Sequence, residues 1–300
     1  MRSGLFSVLK PPGMTSHDVV DFLRRRLPRR TKVGHAGTLD PGAAGVLVVC
    51  VGVATRLTEY VMVGDKAYRA EACLGMTTDT LDAEGQVLEE RDASAVTQAQ
   101  AAAAVAGLVG PQQMEPPMYS AARVDGERLY DLARQGREVA REARPVTVYS
   151  AELIDFSSGP QARALVDFTC SKGTYVRVLC AQLGEALGVG AHMSFLVRTA
   201  VGPHVLSEAL SLEELQAAAE RGALAELSSS LEAALSHLPE VRLGAPASAA
   251  FSRGSATPSD SGASGLVRAH DPHGALLGIG EVLFEAGQLV LQPRKVLADR

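Results

Sequence analysis

An α+β fold is what this 300-residue sequence predicts, on three observations. Apolar and polar residues alternate at 68–74 and 162–170, the period of strands with one face turned inward. Elsewhere apolar residues return at helical spacing, as Val19, Val20, Phe22, Leu23 and Leu27 do. From about residue 240 the composition shifts to a Ser-, Gly- and Ala-rich stretch followed by short apolar runs, which predicts a small β-rich module. At 46% hydrophobic and 21% charged residues the chain can bury sizeable cores, and the shift divides it into segments 1–239 and 240–300.

Taken in order, Ser16 can cap a first helix that Pro28 stops. Asp40, Pro41 and Gly42 predict a turn, and residues 46–53 a short buried strand behind it. Residues 68–74 follow as a strand, and 97–109 as an Ala-rich helix ended by Gly110 and Pro111. Residues 118–144 read as an insertion too polar to be core: a turn at Asp125 and Gly126, a helix over 127–135 ended by Gly136, then Arg and Glu up to Pro145. Residues 146–156 and 162–170 are two further strands. Ser171, Lys172, Gly173 and Thr174 lead into a helix over 175–187 ended by Gly188, which places Tyr175 and Arg177 in its first turn. Ser211 and Glu214 form a capping box for an acidic helix ended by Gly222, and a second helix covers 223–235. In the last segment, residues 254–265 link to apolar runs at 276–279, 282–284 and 289–291. No solenoid-type repeat is present.

Composition and motifs narrow the function. The longest apolar run, 43–53, is far below the roughly 20 residues of a membrane span, and residues 1–10 lack a basic start followed by an apolar segment, so a cytoplasmic protein without a membrane partner is expected. Cys50, Cys73, Cys170 and Cys180 form no C-x-x-C pair and read as buried free thiols. Asp79, Asp82 and Glu84 lack calcium-loop spacing and read as a polar hairpin; no metal site is expected. Motifs for phosphate cradles, zinc hydrolases and serine hydrolases are missing, and no cofactor is expected. The net charge of −5 conceals a local pattern. Residues 1–200 balance 22 cations with 22 anions, whereas residues 201–240 carry one against seven. Within the balanced part, Arg24, Arg25, Arg26, Arg29, Arg30 and Lys32 crowd nine positions, and six arginines between Arg123 and Arg144 mark the insertion. Such patches fit a phosphate backbone or a solvated helix face.

What remains is one carboxylate, Asp40, in a turn ahead of a core strand, with Tyr68 and Tyr175 at the starts of elements and Arg177 at a helix start. Asp before Pro-Gly can simply support the turn; a carboxylate on a braced loop is also how catalytic groups are presented. A carboxylate that works at neutral pH must stay ionised, which a neighbouring guanidinium favours. An aromatic ring beside it offers a stacking surface for a base taken out of an RNA helix, although Tyr68 on residue pattern alone reads sooner as an ordinary strand aromatic.

These residues, together with Lys10 to Ser16 (KPPGMTS), Gly34 to Gly45 (GHAGTLDPGAAG), Lys66 to Arg69 (KAYR), Met118 to Ala121 (MYSA), Tyr130 to Gly136, Arg141 to Pro145 (REARP) and Cys170 to Arg177 (CSKGTYVR), closely resemble the bacterial tRNA pseudouridine synthases of the TruB type, which act on uridine 55 in the T loop. The ordered match spans about residues 5–205. The resemblance implies a catalytic domain on a mixed, mainly antiparallel sheet flanked by helices, with a C-terminal PUA-like RNA-binding module. It implies isomerisation of uridine to pseudouridine by base flipping, without metal or cofactor, on a tRNA T stem-loop, by a monomer needing no protein partner. By the same resemblance Asp40 is the essential carboxylate and Arg177 its ion-pair partner. Tyr68 stacks on the flipped uracil, Tyr175 and Leu196 line its pocket, and His35 enters the T loop. Lys10 and Lys172 bind phosphate or brace the loop, with a merely solvated role as the equal alternative, and the 118–144 insertion is the family's mobile thumb. Leu196-Val197-Arg198-Thr199 stands where the family often has Leu-Arg-Arg-Thr, so a phosphate contact by the first arginine is lost here. A tRNA-binding or RNA-folding protein with secondary catalysis is the alternative reading; a guide-RNA-dependent relative would carry extra segments that this chain does not show.

Overall fold

The computed structural model describes residues 3–297 apart from 121 and 286. Ala121 of the MYSA motif and the outermost residues of both sequence segments, 1–2 and 298–300, lie outside the described residues.

Among those described, nine strands form the main sheet: β1 (Gly4–Lys10), β2 (Val33–His35), β3 (Ala44–Val51), β4 (Lys66–Leu74), β5 (Gly110–Met114), β6 (Arg144–Ser157), β7 (Arg163–Cys170), β8 (Ala191–Val201) and β9 (His204–Val205). Their order is β1-β3-β8-β4-β7-β6-β5, with β2 added to β3 and β9 to β8. Only β8 beside β3 is parallel. The sheet is therefore mixed and mainly antiparallel, as the resemblance implied. A second sheet of five strands, opening at Glu240–Arg242, builds the C-terminal module around Phe251, Val267 and Leu291.

The alternation in β4 has its predicted consequence. Tyr68, Ala70, Ala72 and Leu74 face a core shared with Val166 and Phe168 of β7 and with Leu179 and Leu183 of the helix Val176–Ala186. On the other face Arg69 grips Asp167 across the strands through two contacts of 2.7 Å. The β3 strand is buried on both sides. Leu47, Val49 and Val51 pack on the helices Ser16–Arg24 and Leu212–Glu220, while Val46, Val48 and Cys50 pack near Val61 and Ala234. It is thus a rigid shelf for the turn ahead of it.

That shelf meets β8 through Gly45, whose φ is +113° and whose absent Cβ would lie 2.2 Å from the Arg198 carbonyl oxygen. Here glycine is a steric requirement. Replacing it with alanine is expected to lower stability by about 2 kcal/mol or more, through backbone strain and forced separation of the two strands; a thermal melt moved by under a degree would refute that reading.

The structure corrects several element readings. Thr15, not Ser16, caps the first helix, in a capping box with Asp18, because Ser16 turns inward to Leu39; the helix ends at Arg24, short of Pro28. The Ala-rich helix ends at Ala106, and Gly110 and Pro111 begin β5 instead of stopping it. In the insertion, Asp125 and Gly126 both adopt left-handed backbone at the turn of a short hairpin, the helix is Leu129–Arg134, and Leu129 and Leu132 are buried, so the segment does carry a small apolar anchor. Tyr175 is the N-cap of its helix and only Arg177 lies in the first turn. Residues 223–235 are not one helix: Ser229 pairs its backbone with Leu5, which separates Leu224–Leu227 from Leu231–Ala234. The runs 276–279 and 282–284 are one strand, Leu276–Glu285. All four cysteines are buried free thiols, and burial holds Cys50 and Cys170 up at about 11 and Cys180 at about 12.

Candidate active site

Asp40 sits in a loop whose backbone has almost no freedom left. Every carbonyl from Gly37 to Pro41 accepts a hydrogen bond. Arg198 donates Nη2 to Gly37 (3.1 Å) and Nη1 to Thr38 (3.2 Å). The Ser16 hydroxyl donates to the Leu39 carbonyl (3.0 Å) and accepts the Leu39 N–H (2.9 Å). Ala43 N–H closes the turn on Asp40, and Gly13 N–H and Lys10 both donate to Pro41. The predicted turn over Asp40, Pro41 and Gly42 is present, fixed from three sides.

Lys10 shows how the brace works. Its side chain is wholly buried, and Nζ donates to Pro11, Pro41 and Ala43 carbonyls at 2.9, 3.1 and 2.6 Å. Burial pulls its pKa down to about 8 against the attraction of Asp40, so the ammonium persists at neutral pH. Of the roles read for Lys10, phosphate contact, loop brace and solvated side chain, this geometry is that of the brace. Lys172, by contrast, is exposed at the rim of the cavity described next.

The Asp40 carboxylate, 41% exposed, meets the Arg177 guanidinium, 5% exposed, with Nη2 3.1 Å from Oδ2. The same nitrogen donates to the Tyr119 carbonyl (2.9 Å), and Nη1 donates to the Thr80 carbonyl (3.1 Å) and to Asp82 Oδ2 (3.3 Å). Arg177 is thus held by four oxygens from three separate segments and directs one edge at Asp40. Asp82, read from sequence as part of a polar hairpin, does lie in the connection between the hairpin strands Met76–Thr78 and Val87–Glu90, and it is also the second carboxylate on Arg177. Its spacing gave no sign of this. Beside it Leu81 has φ of +63°, a conformation disfavoured for leucine that places local strain against the site.

Asp40 and Arg177 stand where two cavities join. The first, about 360 Å³, is walled by Met62, Lys66, Tyr68, Tyr175, Leu196 and Arg198. The second, about 680 Å³, is wider and holds His17, His35, Tyr119, Arg123, Arg128 and Arg134. Thr38, Leu39, Asp40, Ser120 and Arg177 belong to both. Tyr68, Tyr175 and Leu196 therefore converge on Asp40 in the first cavity, and His35 faces the second. Burial raises the Tyr68 pKa, so the ring carries a neutral hydroxyl. Burial, with Arg198 nearby, lowers that of His35, so its imidazole is uncharged at neutral pH.

Arg198 is the largest omission of the sequence reading. It is fully buried and pairs in register with Tyr68 on β4 and with Gly45 on β3, and its Nε donates to the Val46 carbonyl at 2.8 Å. It thus ties the loop, the shelf strand and the aromatic wall together. Lys66 is a second omission: it is buried in the same wall and donates to the Met62 and Gly64 carbonyls. The basic run divides. Arg26 is engaged by Gln216, while Arg25, Arg29, Arg30 and Lys32 are exposed. Among the described residues no cluster of three or more His, Cys, Asp or Glu side chains has the arrangement of a metal site, and no helix is long and apolar enough to cross a membrane.

A family model described as TruB family pseudouridylate synthase (N terminal domain) matches residues 24–176, and one described as tRNA pseudouridylate synthase B C-terminal domain matches residues 177–236. The tRNA pseudouridine synthase B of Symbiobacterium thermophilum is 56% identical over 218 residues, 73% of each chain. That of Pelotomaculum thermopropionicum is 45% identical over 308 residues, covering 99% of this chain and 97% of its own. Among solved structures, a Cbf5-Nop10-Gar1 complex aligns with TM-score 0.74 and 27% identity over 98% of this chain and 84% of that one. The archaeal box H/ACA sRNP Nop10-Cbf5 complex aligns with TM-score 0.72 and 26% identity, covering 98% and 85%.

Proposed function

The chain belongs to the TruB family of pseudouridylate synthases, and from that premise we propose that it isomerises the uridine at position 55 of the tRNA T loop, with Asp40 as the essential carboxylate. The observation that carries this reading is the Asp40–Arg177 pair at the junction of the two cavities. The wider cavity, with three arginines and His35 on its walls, suits an RNA loop and its phosphates. The narrower one, with apolar and aromatic walls, suits a single base swung out of that loop. Between them the ribose of that nucleotide comes to rest against Asp40.

In the overall change the N1–C1′ bond breaks, the uracil turns within its cavity, and C5 joins C1′. The hydrogen on C5 leaves as a proton and the freed N1 takes one up, so the product is an isomer of the substrate. Arg177 keeps Asp40 ionised and aimed. Tyr68 stacks on the uracil and offers its hydroxyl for the proton transfer, while Tyr175 and Leu196 confine the ring as it turns. His35 occupies the space that the flipped base vacates, and the 118–144 insertion, carrying Arg123, Arg128 and Arg134, closes on the stem. The C-terminal module, residues 240–300, adds PUA-like RNA contacts. The tRNA is bound directly by a monomer, without a protein partner.

The test is tritium release. Purified protein incubated with unmodified tRNA carrying tritium at C5 of uridine is expected to release one tritium per tRNA, and none from a transcript with cytidine at position 55. Tight binding without release would overturn the reading and leave the RNA-folding alternative. Release from the cytidine transcript would overturn the assignment to position 55.

A further inference from the structure

Ser120 is 5% exposed and belongs to both cavities, yet its hydroxyl is buried with no hydrogen-bond partner among the described residues. A buried hydroxyl left unpaired is destabilising, and such a group calls for a partner that water or a ligand supplies. The backbone around Ser120 is fixed on both sides. The preceding carbonyl, on Tyr119, shares Arg177 Nη2 with Asp40 Oδ2, at 2.9 and 3.1 Å. Its own carbonyl accepts the Tyr130 N–H (3.1 Å), which anchors the helix Leu129–Arg134. Ser120 is thus held at the neck between the cavities, one residue from a carbonyl that shares a guanidinium nitrogen with the reacting carboxylate.

The neck is where the sugar of a flipped nucleotide must sit, since its base occupies one cavity and its neighbours the other. The sugar hydroxyl nearest C1′ is the 2′-OH, a donor and acceptor that distinguishes RNA from DNA. We infer that Ser120 Oγ hydrogen-bonds the ribose 2′-hydroxyl of the target nucleotide and makes the site selective for a ribonucleotide there. The inference rests on the function proposed above. Ser120 is on this view a positioning and specificity residue and takes no proton from the reacting atoms.

The experiment is a four-cornered binding cycle in the Asp40→Asn background, which removes the essential carboxylate and with it turnover. T stem-loop hairpins with uridine or 2′-deoxyuridine at the target position are titrated against the protein with Ser120 or with Ser120→Ala. With Ser120 present the deoxy hairpin is expected to bind about 5-fold more weakly, the size of one net hydrogen bond. With Ser120→Ala the ribo and deoxy hairpins are expected to bind alike, and Ser120→Thr, which keeps a hydroxyl, to restore part of the preference. Because the two hairpins are compared within each protein, a loss of folded protein affects both equally. An equal deoxy penalty with and without Ser120, or no penalty at all, overturns the inference. If the wild type also fails to release tritium, the functional reading falls; if it releases tritium and the cycle shows no coupling, only the role of Ser120 falls.

Discussion

Asp40→Asn is expected to reduce turnover by at least about 10³-fold, the scale of removing a principal catalytic group, while tRNA affinity changes by less than about threefold. Asparagine preserves the shape and leaves the loop bonds untouched, because those bonds are made by backbone carbonyls and not by the carboxylate. Arg177 also keeps Asp82 and two carbonyls as partners, so the local structure stands. Single-turnover tritium release and filter binding on the same preparation separate the two quantities. Residual activity above a tenth of wild type would remove Asp40 from its role.

The second large effect is at Arg177. Substitution by alanine leaves Asp40 and Asp82 facing each other across an emptied site and frees the Thr80 and Tyr119 carbonyls. Leaving the largely buried Asp82 carboxylate and two carbonyls without their donor costs on the order of 2 kcal/mol, and turnover is expected to drop about 10²-fold with a smaller change in binding. Arg177→Lys keeps the charge but not the planar fork, so it is expected to recover stability better than rate. The measurements are a urea titration and kcat separated from KM. A kcat equal to wild type in either variant would show that the ion pair serves the fold alone.

The parts of the molecule legible in the sequence were those with local causes. Alternation fixed β4 and β7 because each has one face on a core, and the Ser211 capping box is a contact within one turn. The long apolar stretch behind Asp40 is explained by β3 being covered on both sides. The β8 strand was missed for a physical reason. Register shifts at Met193/Phe195 and Arg198/Ala200 break its alternation, and a buried arginine stands where an apolar residue would signal the interior. In the site, Asp40, Tyr68, Tyr175, Arg177 and Leu196 were found because their motifs are contiguous. Arg198 and Asp82 act through partners about 160 and 95 residues away, and no local pattern encodes such a distance. Ser120 was visible only as a letter in a motif; its missing partner is a property of the folded molecule.

The loop with every carbonyl engaged has a consequence for how this site can evolve. A segment whose main chain is pinned from Gly37 to Pro41 cannot slide to suit a different nucleotide, so its side chains are presented at fixed heights whatever RNA arrives. Adaptation to new sequence contexts has to come from the facing wall, where Arg123, Arg128 and Arg134 of the insertion reach the wider cavity as exposed side chains. One side of the cleft is then the fixed die and the other the adjustable one, and variants that alter substrate choice without loss of rate should collect on the second.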